Sequence, residues 1–269
     1  MNFSRVVTLT LNSSLAFAFF APFALAVESS SPANPVFSHA DDAELIYRSP
    51  SVLPVIQYEK SLEHRSGSPL YLPSRRIGPD EFSTQSFQLF VENMHMTMQA
   101  QNGVGLAANQ VGRDLQVFMM ETKAPAAVPA LRAVPYTVYV NPVITKASEN
   151  RVFFWHSCLS TAGADFGKVA TFEWIEVQAQ NERGVEIRAH LDGYAAIIFQ
   201  HEFRHLLGGT YLDHAIDLLT PVKILELNLR KMISLYGLSD ESVPLLIGDY
   251  KIGESLENYY ARAARNLAP

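Results

Sequence analysis

The residue types best suited to chemistry form a short run in the second half of the chain, His201-Glu202-Phe203-Arg204-His205. Residues four positions apart lie on one face of a helix, so the imidazoles of His201 and His205 can reach the same metal ion. Glu202 is one residue further along the helix than His201, so its carboxylate can approach a water on the metal rather than the metal itself. A divalent metal lowers the pKa of such a water towards neutrality, and a carboxylate can accept its proton. The run predicts metal-assisted hydrolysis, although helices that bind no metal also contain this spacing by chance.

A catalytic site of this kind needs a third protein ligand as well as an open position. The metzincin pattern H-E-x-x-H-x-x-G-x-x-H would place a third histidine at the position of Tyr211, and His214 comes three residues too late. In other zinc endopeptidases the third ligand is a downstream glutamate, for which Glu226 is the candidate. Glu226 lies beyond Pro221, and this alternative stays open.

The second candidate for the third ligand is Cys158, the sole cysteine of the sequence. One cysteine cannot form an internal disulfide, and a lone cysteine is most often a small buried hydrophobic residue. Cys158 follows a predicted strand, however, and a run of small residues lies upstream at 103–110. Two glycines and two alanines in that run let the backbone approach another group closely, and Gln110 supplies an amide donor. Taken alone, the run could equally be a turn that closes the preceding helix.

The elements that must position these residues can be predicted from the spacing of apolar residues. Steps of three and four residues from Phe82 to Met98 predict an amphipathic helix that ends near Gly103, and a second, largely buried helix is predicted at 194–207. Alternating β-branched and aromatic residues predict strands at 115–120, 136–140, 152–155, 169–178 and 185–191. Further helices are predicted from 221 to about 236 and in the tail. This order predicts an α+β domain, with antiparallel β-sheets around the helix that carries the two histidines.

The first 26 residues are a different kind of sequence from the rest. Arg5 is followed by an uncharged apolar stretch at 15–25, and residues 24–26, Ala-Leu-Ala, have the small-x-small pattern of a signal peptidase site. A membrane anchor is the alternative, but the polar residues 12–14 interrupt the run and leave it too short to span a bilayer. The pattern predicts a signal peptide that is cleaved near Ala26. The mature protein is then exported, periplasmic or secreted, and has no membrane span.

Composition limits the remaining possibilities. Hydrophobic residues make up 48% of the 269 residues and charged residues 18%, which is a globular composition. The net charge of −6 and the absence of a Lys/Arg-rich run argue against a nucleic-acid partner. We expect a monomer with a Ser/Pro-rich N-terminal arm at 27–50, a catalytic domain at 51–220 and a C-terminal helical extension at 221–269.

Three segments in the same order resemble the motifs of the peptide deformylase family. Residues 103–112, GVGLAANQVG, match the family's first motif throughout. Residues 156–160, HSCLS, resemble the second motif, E-G-C-L-S, and residues 200–208, QHEFRHLLG, resemble the third, Q-H-E-x-D-H-L-x-G. The resemblance covers about residues 50–214. It implies a deformylase-like fold and, in chemical terms, the same metal-assisted amide hydrolysis that the histidine run predicts.

The resemblance also implies a metal and a reaction. Cys158, His201 and His205 would bind one divalent ion, usually Fe²⁺ in the family, although Zn²⁺ or Ni²⁺ can occupy such a ligand set. Glu202 would be the general acid and base. The substrate would be an N-formylmethionyl peptide or protein N-terminus, from which hydrolysis releases formate.

Further roles come from the first and second motifs. Gln110 and the backbone amide of Leu159 would hydrogen-bond the formyl oxygen as it gains charge. Gly103, Val104 and Gly105 would line the substrate channel, where the peptide pairs as an added strand.

The sequence departs from the family pattern beside the expected ligands. His156 replaces a glutamate, Ser157 a glycine and Arg204 an aspartate, and a family arginine expected near Thr171 is absent. Such neighbours orient ligands and tune the metal, so metal affinity, metal identity and rate can all differ from the family's. The ordinary pKa of histidine, about 6.5, predicts that His156 changes charge near neutral pH.

Two other functions remain open at this point. One is an exported protein that captures formylated or Met-starting peptides without catalysis, and the other is a hydrolase of the same fold with another acylated substrate. A protein that only binds peptide has no need of Glu202. Formylmethionine is made on ribosomes, so an exported deformylase would have to meet formylated peptides or protein tails that have left the cytoplasm. An iron–thiolate site there would be exposed to oxidation.

Overall fold

The computed structural model describes residues 49–61, 65, 67–123, 133–162 and 164–267. The predicted signal peptide and nearly all of the predicted N-terminal arm lie outside the described residues. Within these ranges, no helix combines the length and the apolar character needed to cross a bilayer.

Two antiparallel sheets and four α-helices make up the described part of the chain. The helices are α1 (Gln85–Ala100), α2 (Gly193–Leu206), α3 (Pro221–Leu229) and α4 (Leu256–Leu267). The strands are β1 (Gly105–Ala107), β2 (Val117–Thr122), β3 (Val134–Ala147), β4 (Arg151–His156), β5 (Phe166–Phe172), β6 (Trp174–Gln180), β7 (Glu186–Asp192), β8 (Asp217–Leu219) and β9 (Tyr236–Ser239). The sheets have the strand orders β1-β2-β3-β6-β7 and β8-β5-β4-β9. The α+β fold class predicted from the sequence is confirmed.

The first sheet has a hydrophobic cluster on each face, because successive side chains of a strand point in opposite directions. In β2, Phe118 and Met120 belong to the cluster that contains Phe199 of α2, whereas Val117 and Met119 belong to the cluster that contains α1. The rings of Phe118 and Phe199 meet edge to face at 4.9 Å. Such a pair contributes about 0.5–1.5 kcal/mol beyond its buried area. Burial on both faces explains why this strand is continuously apolar rather than alternating.

The second sheet contains the strand that leads to Cys158. Its central strand β4 pairs on one side with β5, where His156 lies opposite Gly167. On the other side it pairs with β9, and this pairing stops at Phe154. In the described structure, the last two residues of β4 therefore have a strand neighbour on one side only, just before Cys158.

The strand predicted at 169–178 is two strands, so that prediction was wrong. The chain leaves the second sheet at the end of β5 and enters the first sheet at the start of β6. At the crossing, the backbone N–H groups of Glu173 and Trp174 donate to Ser148 Oγ, at 2.9 and 3.3 Å, instead of to a neighbouring strand. The hydrophobic alternation continues across this point, so the sequence does not reveal the change of partner.

β3 also continues beyond its predicted end at 140. Asn141 has a φ of +53° and lies at a shift in the pairing register between β3 and β6. Its side chain accepts from Ile77 N at 2.9 Å and donates to Ile77 O at 3.0 Å. These bonds hold a bulge, after which the strand resumes and runs to Ala147.

The C-terminal end of α2 is held by groups from distant parts of the chain. The carbonyl of His205 accepts from Asn109 Nδ2 at 2.5 Å, and the carbonyl of Leu206 accepts from Tyr260 Oη at 2.5 Å. Gly208 follows in the left-handed region, with φ +82°. The last carbonyls of a helix have no partners within it, so these bonds complete its end and tie it to α4.

The region after residue 220 contains more than helices. α3 ends at Leu229 rather than near 236, and the chain turns at Lys231, which has a φ of +55°. β9 follows and extends the second sheet beside β4, which the sequence pattern did not indicate. α4 then packs through Tyr259 into the core cluster that contains Phe203 of α2.

Candidate metal centre

Helix α2 presents both histidines to the loop that follows β4. The metal-binding atoms of Cys158, His201 and His205 all lie within 4.8 Å of one another. Within the ranges that the structure describes, no other group of three or more His, Cys, Asp or Glu side chains is clustered in this way. One sulfur and two imidazole nitrogens form a donor set that suits zinc, iron or nickel, so the residues present fit a divalent transition metal.

The hydrogen bonds of the imidazoles determine which nitrogens face the centre. His205 Nδ1 lies 3.0 Å from the Gly209 carbonyl, which can only accept, so Nδ1 carries the proton. His205 Nε2 is then unprotonated, 3.2 Å from Cys158 Sγ. Burial lowers the pKa of His205 well below its ordinary value and that of His201 to about 4. Both imidazoles are neutral near pH 7, as metal binding requires.

Cys158 is partly buried, and its thiol lies among hydrogen-bond donors. Burial raises its pKa, with a further contribution from Glu202. Gln110 Nε2 donates to Sγ at 3.2 Å, and the backbone N–H of Ser160 donates at 3.4 Å. Without an ion this thiol keeps its proton, whereas a thiol that coordinates a metal is deprotonated.

The carboxylate of Glu202 is enclosed by the small residues of the first motif. Its side chain is buried, and burial raises its pKa well above the usual range. Oε2 has no hydrogen-bond partner in the described part of the chain. A Cβ atom at position 105 would overlap the carboxylate, so Gly105 provides the space in which it lies.

Gln110 is held at its oxygen and points its amide nitrogen at the centre. Its Oε1 accepts from the backbone N–H of Ala107 at 2.8 Å, and its Nε2 also donates to Ser160 Oγ at 3.1 Å. The carbonyl of Leu159 accepts from Gln57 Nε2 at 3.2 Å, which fixes the loop after Cys158.

The predicted channel residues lie at an edge of the first sheet. Among the described strands, β1 begins at Gly105 and pairs only with β2, and the side chain of Val104 is 39% exposed. A Cβ on Gly103 would lie 2.8 Å from Leu159 Cδ1. The first and second motifs are thus in direct contact, and the structure brings all nine predicted site residues into one region.

Comparisons with known proteins agree with this geometry. A sequence model of the family described as Polypeptide deformylase matches residues 63–220, more than half of the chain. The chain belongs to the polypeptide deformylase family. Peptide deformylase 1 of Nitrosomonas europaea is 36% identical over 148 residues, which cover 55% of this chain and 82% of that protein. Peptide deformylase of Aquifex aeolicus is 38% identical over 123 residues, which cover 46% of this chain and 69% of that protein.

A solved structure of the same family has a similar fold. The class I type b peptide deformylase from Acinetobacter baumannii, bound to Met-Ala-Ser, aligns with a TM-score of 0.54 and 27% identity. The alignment covers 60% of this chain and 97% of that one. The deformylase family consists of metal-dependent hydrolases, and the clustered thiol and imidazoles are consistent with membership.

The first departure from the deformylase motifs is His156. Its Nδ1 lies 3.1 Å from His201 Nδ1, so it occupies the place of a hydrogen-bond partner to that imidazole. It is buried, and burial together with His201 lowers its pKa well below 6.5. The expectation that His156 changes charge near neutral pH is therefore wrong. Thr171, where a family arginine was expected, is fully buried and has no hydrogen-bond partner for its hydroxyl in the described residues.

The second departure, Arg204, is paired rather than free. Its Nη2 lies 3.2 Å from Asp213 Oδ2, and Arg65 Nη1 lies 2.9 Å from Asp213 Oδ1. Burial is the main cause of the lowered pKa of His205, and the charge of Arg204 is a smaller one.

Several residues around the centre were not identified from the sequence. Ser160, Asn109, Gly209 and Asp213 all bond to a predicted site residue or its neighbour. Asp213 had a signal, because Thr210 and Asp213 form the T-x-x-D capping pattern of a helix start. Asn109 and Ser160 lie inside the first and second motifs, where the sequence assigned them no role, and Gly209 contributes through a backbone carbonyl that leaves no pattern.

The alternative glutamate ligand is elsewhere in the structure. Glu226 lies on α3 and pairs with Lys223 at 3.3 Å and Arg230 at 3.0 Å. It is not part of the group formed by Cys158 and the two histidines.

Proposed function

We propose that the protein removes the formyl group from N-formylmethionyl peptides, using a metal held by Cys158, His201 and His205. The observation that carries the proposal is that a thiol and two neutral imidazoles converge beside the buried carboxylate of Glu202. A divalent metal in such a site supplies Lewis-acid polarisation and lowers the pKa of water. Fe²⁺ is our first choice from the family, with Zn²⁺ or Ni²⁺ as alternatives that the ligand set also accepts.

Glu202 acts first as the general base and then as the general acid. A carboxylate with a raised pKa can take a proton from water and later deliver it to the leaving amine. The unbonded Oε2 supports this role, because no other group in the described residues competes for it.

Gln110 and the backbone amide of Leu159 stabilise the formyl oxygen as it gains negative charge. The bond from Ala107 N to Gln110 Oε1 fixes the side-chain amide and leaves its N–H groups directed at Cys158 and Ser160. Donors held in place before the reaction stabilise the developing charge without reorganising.

The peptide binds along the edge of the first sheet. Gly103 and Gly105 have no side chain and the side chain of Val104 is exposed, so an extended peptide can add beside β1 and contact Val104. The bound Met-Ala-Ser of the Acinetobacter baumannii relative supports a peptide of this kind as the ligand.

The test combines metal analysis with formate release by the purified protein. Formyl-Met-Ala-Ser should give one formate for each free amine, and a chelator should abolish the reaction until metal is restored. Acetyl-Met-Ala-Ser is the matched control, because it differs only at the acyl group. Full metal occupancy without formate release would contradict the proposal and favour another acylated substrate or peptide binding without catalysis.

A further inference from the structure

A buried ion pair lies directly behind His205. Arg204 and Asp213 join at 3.2 Å, and their side chains are only 11% and 13% exposed. Neither residue belongs to the predicted ligands or the predicted base. Arg204 also stands where the deformylase motif has an aspartate, so the pair is a feature of this chain.

The ion pair holds the turn that follows α2. Arg204 Nε donates to the Thr210 carbonyl at 3.4 Å, and the Thr210 N–H donates to Asp213 Oδ2 at 2.7 Å. Between them lies Gly209, where a Cβ atom would overlap both members of the pair. The turn and the ion pair are therefore packed against each other without space for a side chain.

The same turn supplies the hydrogen bond that orients His205. The Gly209 carbonyl lies 3.0 Å from His205 Nδ1, which keeps the proton there and leaves Nε2 facing Cys158. A shift of the turn would move this carbonyl and release the imidazole. Partners of this kind set the tautomer and orientation of a ligand histidine.

A third residue fixes Asp213 from the other side. Arg65 Nη1 lies 2.9 Å from Asp213 Oδ1, so both carboxylate oxygens are paired. The Arg65 guanidinium lies 5.0 Å from the ring centroid of Tyr58 and 4.8 Å from that of Tyr71. Stacking on two rings restricts the conformations of the Arg65 side chain and, through the ion pair, those of the Asp213 side chain.

We propose that Arg204 and Asp213 are positioning residues for the metal ligand His205, acting through the Gly209 carbonyl. The inference rests on the proposed role of His205 as a ligand. It gives Arg204, which replaces the aspartate of the family motif, a function in this chain, since its cation holds in place the turn that carries the Gly209 carbonyl.

The test measures Co²⁺ affinity of the purified full-length protein by competition with a chromophoric chelator, together with the Co²⁺ absorption spectrum. Arg204→Met and Asp213→Asn should weaken binding by about 10- to 100-fold and change the spectrum, because the geometry of His205 is altered. Arg204→Lys keeps the positive charge but loses the forked donor of the guanidinium. Its Co²⁺ affinity should lie between those of Arg204→Met and the parent protein. Arg262→Met is the matched control, since it removes a comparable pair with Glu254 that does not touch the turn.

The outcomes separate the inference from the proposed function. A parent protein that binds no Co²⁺ would overturn both. A parent that binds Co²⁺, with Arg204→Lys and Asp213→Asn equal to it in affinity and spectrum, would overturn the inference alone. An Arg262→Met protein that loses as much affinity as Arg204→Met would show general destabilisation and also overturn the inference.

Discussion

The pKa values of the side chains at the centre are shifted towards the neutral forms, mainly by burial. Burial lowers the pKa of the two ligand imidazoles and raises those of Cys158 and Glu202. A charged group without a partner is costly in such surroundings, so burial favours the uncharged form of each group. Binding of a divalent cation supplies the missing positive charge, and it then favours a thiolate and an ionised carboxylate.

Removal of the thiol tests the ligand set. Cys158→Ala should reduce metal content from about one equivalent to nearly none after dialysis, because three protein ligands leave none to spare. His190→Ala is a suitable control, since His190 lies on β7, away from the centre, against Trp174. Elemental analysis of both proteins checks the assignment, and a Cys158→Ala protein with a full equivalent of metal would refute it.

Replacement of the carboxylate separates binding from chemistry. Glu202→Ala should keep its metal and lose turnover by on the order of 100- to 10,000-fold, because water would lack a proton acceptor. Steady-state formate release and metal content are measured on the same preparation. Glu226→Ala is the control, and it should match the parent in both. Near-normal turnover in Glu202→Ala would show that the base lies elsewhere. Metal loss in Glu226→Ala would favour the zinc-endopeptidase ligand set instead.

At the scale of elements, the centre lies where three segments of the chain come close together. α2 contributes the histidines and Glu202, the loop after β4 contributes Cys158, and β1 passes so close that only glycine fits at position 105. The first motif is therefore rich in small residues for a steric reason. The missing Cβ at position 105 lets the edge of β1 approach the Glu202 carboxylate on α2.

An added methyl group tests this packing. Gly105→Ala would push on the Glu202 carboxylate, and overpacking of this kind costs about 1–3 kcal/mol of stability. Displacement of the base by about 1 Å should lower turnover on the order of 100-fold. Gly67→Ala is the control, because no atom lies within 4 Å of the new Cβ. Thermal unfolding and formate release are compared, and full activity in Gly105→Ala would contradict the packing argument.

At the scale of the whole molecule, residues beyond the family match support helix α2. The match ends at residue 220, and the chain after it contributes β9 beside β4 and Tyr260 at the end of α2. Tyr260 also accepts from Ser74 N at 3.0 Å, so one side chain connects α4, α2 and the segment before α1. The C-terminal region thus contacts both β4, which leads to Cys158, and α2, which carries His201 and His205.

The destination of the protein is a prediction for the whole chain. We expect cleavage near Ala26, which leaves a mature protein that begins at about Val27, because residues 24–26 have small residues where signal peptidase requires them. N-terminal sequencing of the protein from fractionated cells measures this. Ala26→Arg should block cleavage and serves as the control. A full-length parent protein that starts at Met1 and stays in the cytoplasmic fraction would contradict export.

The sequence by itself identified the family of this protein and the residues that the proposed chemistry would use. His201, Glu202 and His205 follow from helical spacing, and Cys158 and Gln110 follow from motifs whose order is preserved, because local patterns record which residue types a reaction needs. Tertiary structure alone decided how neighbours act on them. It showed that His156 is buried and does not titrate near neutral pH, and that Arg204 is paired with Asp213. It also divided one predicted strand between two sheets at Glu173. Burial, pairing and strand partners depend on residues far apart in the chain, and a local pattern contains no information about them.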